Sequence, residues 1–236
     1  MFNRLKLFCY DILGIFGGYA SRHEDGVLPG SLPEGYLEDQ RHEAVSRIPY
    51  GKGNISGNGC GILAAYNVLR YFGIRAELTE LVEWFEKNGE ALFGKAGILP
   101  KSLAAFFRQQ GLSCEMRCVS EGEELPYQAG DQGDVFVLLF HPKKDPVHMH
   151  YAALIPEKEG GRYDIKNAQY PYRKAAKLSD CISSLNGGNL VPLLLYRIEN
   201  PVHCFPISQK ATAEAAATFR ESTPPPMGII RISSQS

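Results

Sequence analysis

The apolar residues of this chain change their spacing near Gly111, and that change limits the folds open to it. Before it they recur at three- and four-residue intervals, the period of helices packed on one side. Helices are predicted over about residues 61–71, 78–87 and 100–110. Gly73, Asn88-Gly89 and Gly111 supply their stops, and Pro100 suits a first helical turn. After Gly111 the pattern alternates. "LSCEMRCV", "DVFVLLF", "HMHYAALI", "RYDIKN" and "VPLLLYRI" are strand candidates separated by turn-rich segments, with "MGIIRIS" as a possible sixth. Helices first and strands afterwards imply an α+β fold, an N-terminal helical half packed on a mostly antiparallel sheet.

The flanks are less regular. Leu5, Phe8, Ile12, Leu13 and Phe16 predict an amphipathic helix. Asp11 inside that stretch speaks against a secretory signal and for the cytoplasm. Ile15, Ile12 and Leu7, counted back from Gly18, also fit a leader cut after Gly-Gly, against an ordinary helix ending at a glycine. Residues 19–53 are polar and rich in glycine and proline, a loop or extended arm leading into the core. The expected organisation is therefore an N-terminal helix and arm over 1–53, a core domain over 54–205, and a C-terminal extension over 206–236 containing a helix in "QKATAEAAATFRES". A net charge of −1 gives no reason to expect nucleic acid as partner, and no window is apolar enough for a membrane span. The oligomeric state has no signature in the sequence.

Six cysteines without a Cys-x-x-Cys pair rule out zinc-ribbon and thioredoxin patterns. Cys114 and Cys118 alternate with charged residues and are expected on the buried face of a strand. Cys60 differs. In "NISGNGCGILAAYNVLRYFG" turn formers precede it and helix formers follow it. That places the thiol at a helix N-terminus, where unpaired N–H groups favour a thiolate. Gly57, Gly59 and Gly61 are expected to let substrate backbone approach the sulfur.

A thiolate nucleophile needs a base. His23 and His42 lie in the arm, His203 in a late loop, and His141 after a strand. His148 and His150 open the strand "HMHYAALI", and His150 is the candidate base. If the hairpin to "RYDIKN" is symmetric about "PEKEGG", Ile155 faces Arg162 and His150 faces Asn167. An Asn oxygen there can orient the imidazole. A tighter loop would oppose His150 to Asp164 instead. A rival reading takes His141, Asp145, His148 and His150 of "HPKKDPVHMH" as zinc ligands, against which Lys143 and Lys144 weigh. Trp84, the only tryptophan, is expected to pack.

"NGCGILAAYNVLRYFG", "HYAALI" and "YDIKNAQY" together resemble the papain-like cysteine peptidases, most closely the double-glycine, bacteriocin-leader-processing peptidases and their stand-alone relatives. The resemblance covers about residues 54–198. It implies a papain-like fold and a peptidase or amidase acting on a peptide or amide substrate without cofactor or metal. Cys60 would be the nucleophile, His150 the base, and Asn167 or Asp164 the orienting residue. That family carries a Gln six residues before the Cys as oxyanion donor. Asn54 stands at that position here, with Asn58 as a second candidate beside the Cys60 amide. Acyl transfer to an amine on the same scaffold, or a non-catalytic peptide-binding module, are the alternatives.

Overall fold

The computed structural model describes residues 35–89, 91, 97–129 and 133–201. The chain separates into two units, Met1–Pro201 and Val202–Ser236, and all described residues belong to the first. The predicted N-terminal helix, the Gly18 cut, Cys9, His23, His203, Cys204, the "QKATAEAAATFRES" helix and the "MGIIRIS" strand lie outside them.

The three expected helices are present: α3 (Cys60–Tyr71), α4 (Leu78–Asn88) and α5 (Pro100–Gln109). They are preceded by α1 (Glu43–Ser46), β1 (Pro49–Tyr50), β2 (Gly53–Asn54) and α2 (Ile55–Asn58). Helix α3 is buried from Cys60 through Leu69, as an apolar helix on every side requires. Gly73, at φ +69°, ends it, with the Ile74 N–H donating to the Leu69 carbonyl at 2.9 Å. Gly111, at φ +79°, ends α5 in the same way, Leu112 bonding back to Phe107 at 3.0 Å. Trp84 packs edge-on against Phe85 and Phe106, as expected of it.

The five expected strands form one antiparallel sheet, β3 (Ser113–Cys118), β4 (Val135–Pro142), β5 (His150–Pro156), β6 (Tyr163–Lys166) and β7 (Leu190–Glu199), in the order β3-β7-β4-β5-β6. Alternation divides the side chains between two cores. Val137, Leu139, Tyr151, Ala153 and Tyr196 meet the three long helices. Phe136, Leu138, Phe140, Ala152 and Leu154 meet a second layer that includes α6 (Leu178–Ser184), a helix absent from the sequence expectation. Among the described residues no helix is long and apolar enough to cross a membrane.

Three local expectations need correction. The described part of the arm is not a free loop, because Leu37, Val45, Ile48 and Tyr50 are buried in the helical core. Cys114 is buried but Cys118 is exposed, since β3 is an edge strand whose last residue has left the packed region. The β5–β6 register also differs: Ile155 faces Asp164, and Pro156 faces Tyr163. The turn is centred one residue later than symmetry about "PEKEGG" requires. Gly160 and Gly161, at φ +89° and +53°, form its tip, and the Glu157 N–H closes it on the Arg162 carbonyl at 2.8 Å.

Candidate active site

Cys60 is the first residue of α3, and its neighbours explain the glycines around it. A Cβ at Gly59 would lie 2.7 Å from the Ile55 Cα, and one at Gly61 would lie 2.4 Å from Ile98 Cδ1 and 3.2 Å from the Tyr151 ring. The two glycines thus admit the protein's own side chains and backbone on either side of the cysteine, not a substrate chain as expected. The backbone N–H groups of Tyr151, Gly61 and Cys60 around the sulfur each favour thiolate. Burial outweighs all three and pushes the thiol up from its ordinary value.

His150 opens β5 and pairs with Phe140 of β4, beside an irregularity between Leu139 and Phe140 where β4 meets β7. Its ring stands edge-on to Phe140 at 5.4 Å. Nε2 lies 2.6 Å from the Asn167 carbonyl oxygen and donates to it. That bond leaves the lone pair of the neutral ring on Nδ1. Burial pushes the imidazole down to about 4, partly offset by the Asn167 carbonyl and by Asp39. Thiol and imidazole therefore rest uncharged at pH 7. The backbone of Tyr151, one of the groups that favour the thiolate of Cys60, belongs to the residue after His150 on β5.

Asn167 contacts the imidazole differently from the expectation. It is fully buried, with φ +59°, so the chain turns out of β6 and its backbone oxygen meets the ring. Its side chain is occupied elsewhere: Oδ1 accepts from the Gln40 N–H at 3.1 Å, and Nδ2 donates to Gln40 Oε1 at 3.2 Å. Asn54 caps α2, its Oδ1 accepting from the Gly57 N–H at 3.1 Å and the Ser56 hydroxyl at 2.9 Å. The Asn58 side chain is seated against Gly53, where a Cβ would come within 2.6 Å of Nδ2.

Asp164, the alternative orienting residue, belongs to a separate charged cluster. It accepts from Lys174 at 2.7 Å, from Lys166 at 3.0 Å and from the Tyr172 hydroxyl, while Glu38 and Glu157 engage the same lysines. Although its own burial opposes this, the bonds to Lys174, Tyr172 and Lys166 together hold its carboxyl down at about 2. A depressed carboxylate stabilises the fold above its unfolded pKa and ceases to do so as pH falls through its folded one. Asp164→Asn is therefore expected to cost about 2 kcal/mol in urea unfolding at pH 7, with the deficit closing between about pH 4 and pH 2.

The residues of "HPKKDPVHMH" disperse. His141 Nδ1 lies 2.8 Å from the Pro142 carbonyl oxygen, His148 pairs with Asp145 at 2.5 Å in the open, and His150 turns to Asn167. Among the described residues no group of three or more His, Cys, Asp or Glu side chains is placed to hold a metal ion. A cavity of about 250 Å³ opens on the sheet face opposite the three long helices, floored by Leu138, Phe140 and Leu190; Phe140 borders both it and the imidazole.

Sequence reasoning missed Gln40. Its sole signal was to be the uncharged amide in the run "EDQRHE". No protein-family model matches the chain, and no curated protein matches it.

Proposed function

We propose that the chain is a cysteine-dependent hydrolase of papain-like architecture that cleaves an amide bond through a Cys60 thioester. The observation that carries this reading is a helix-start thiol influenced by the backbone of Tyr151, the residue that follows an imidazole whose Nε2 is tied to Asn167 and whose Nδ1 keeps its lone pair. In this reading Nδ1 takes the thiol proton as sulfur attacks the carbonyl carbon. The Cys60 amide steadies the oxyanion. The imidazolium then protonates the leaving amine, and the acyl group remains on sulfur. Water, deprotonated by His150, releases the acid and restores the thiol. An amine in place of that water would make the same scaffold an acyltransferase.

One observation favours a second reading, a peptide-binding module without catalysis. The Asn54 side chain, expected near the oxyanion, is committed to capping α2.

p-Nitrophenyl acetate separates the readings. A hydrolase or transferase gives a burst of nitrophenolate and an acetyl group on Cys60 by peptide mass spectrometry, both lost in Cys60→Ala. Discharge by water or by added amine distinguishes the first two. No burst, with iodoacetamide labelling no faster than a free model thiol, overturns catalysis in favour of the binding module.

A further inference from the structure

The segment Tyr36–Arg41 crosses from α3 to β6 and is tied to both. Leu37 exchanges two hydrogen bonds with the buried Asn67 side chain, its N–H to Oδ1 at 2.8 Å and its carbonyl from Nδ2 at 2.9 Å. Asn67 lies on α3 two turns after Cys60. At the other side Glu38 pairs with Lys166 at 2.6 Å, and the Lys166 ammonium stands 5.0 Å over the Tyr36 ring. Gln40 sits between these anchors, and every polar atom of its side chain is used. Nε2 donates to the Ser56 carbonyl at 2.7 Å, and Oε1 accepts from Asn167 Nδ2 at 3.2 Å. Its backbone N–H donates to Asn167 Oδ1 at 3.1 Å. Ser56 lies in α2, the turn that leads into Cys60, and Asn167 carries the carbonyl that holds His150.

Resting on the reading of Cys60 and His150 as nucleophile and base, we propose that Gln40 is the positioning residue of the site. Its one side chain braces the turn that presents the thiol against the backbone that presents the imidazole, and so sets their separation. Gln40 touches neither reacting atom. Its effect passes through Asn167, whose left-handed backbone aims the carbonyl at Nε2 and which the Gln40 bonds hold in place from the other side.

The test uses the full chain with Gln40→Met, which keeps length and loses the side-chain bonds, and Gln40→Glu. A carboxylate in Glu can still accept from Asn167 but cannot donate to Ser56. Gln40→Met is expected to slow acetylation of Cys60 by p-nitrophenyl acetate about 10- to 100-fold, with near-UV circular dichroism unchanged. Gln40→Glu should fall between it and the native protein. Asn167→Ala removes the other end of the brace, so the double variant Gln40→Met/Asn167→Ala should be no slower than the slower single one. Multiplying rate losses would overturn the brace.

The imidazole supplies a readout independent of catalysis. In the native protein the Nε2–H proton bonded to Asn167 should exchange slowly by NMR, and in Gln40→Met it should exchange at least tenfold faster. An unchanged proton in Gln40→Met overturns the positioning role whatever the rates. A native protein whose Cys60 is inert, but whose Nε2–H still depends on Gln40, overturns the nucleophile reading and leaves the brace standing.

Discussion

Replacing His150 with alanine is expected to slow acylation of Cys60 about 10²- to 10⁴-fold at pH 7. The reason lies in the resting charges. Burial raises the thiol above its ordinary value despite the backbone N–H groups that favour thiolate, so the sulfur holds little spontaneous thiolate at neutral pH. Proton removal then falls to a base, the role the proposed mechanism gives to His150. His141 is directed to the Pro142 carbonyl, and His148 stands in the open on Asp145, so neither substitutes for it. The variant should recover as pH climbs toward the thiol pKa, because hydroxide then supplies the thiolate that the imidazole no longer makes. Stopped-flow bursts with p-nitrophenyl acetate across pH 6–10 would show the gap narrowing with pH. A His150→Ala rate within tenfold of native at pH 7, or a gap constant with pH, contradicts the role given to His150. A pair resting as thiolate and imidazolium would instead give a native rate flat through neutrality.

The parts of this fold that were legible in the sequence are those with a local cause. The ends of α3 and α5 follow from Gly73 and Gly111, whose positive φ angles the stop signals required. The five strands of the sheet follow from alternation, and Cys60 and His150 from their places at the starts of a helix and a strand. What was not legible depends on distant contacts. The hairpin register turned on which residues of "PEKEGG" form the tip, a choice settled by the backbone of Gly160 and Gly161. The shift of two residues from the symmetric register keeps Asn167 on the face that alternation assigns to His150, and it meets the ring through its backbone oxygen and not its side chain. Gln40 lies 127 positions from Asn167, and no periodicity links a polar run near the start to a strand end so far away. Gly59 and Gly61 suggest flexibility or substrate access in sequence; only packing shows that Ile55 and Ile98 fill the space. Asn54 stands, by count, where the resembled peptidases carry a Gln, and the short helix it caps absorbs its side-chain oxygen.

Acidification from pH 6.5 to pH 4 is expected to cost the fold about 3 kcal/mol through His150 alone. Burial is the largest cause of its low pKa, and it sets the sign. In the unfolded chain the imidazole takes a proton near pH 6.5, whereas in the folded protein it waits until about 4. Between those values the unfolded state binds more protons, so stability is complete above about pH 6.5 and declines as pH falls toward 4. The groups facing the ring divide: the Asn167 carbonyl and Asp39 favour the cation, while Arg41 opposes it and Phe140 stands edge-on beside it. The first two do not compensate for lost hydration, because the carbonyl already binds Nε2–H and the added proton goes to Nδ1. Urea unfolding of the native protein and His150→Gln across pH 4–7.5 isolates the effect, since glutamine cannot titrate. The difference in unfolding free energy between native and variant should shift by about 3 kcal/mol in favour of the native protein as pH rises through this range, and level off above about 6.5. Parallel curves would mean that the ring is solvated in the folded state. In the proposed mechanism the same proton on Nδ1 removes the base for the Cys60 thiol, so acylation should decline over the acid limb where stability declines, and one titration should account for both.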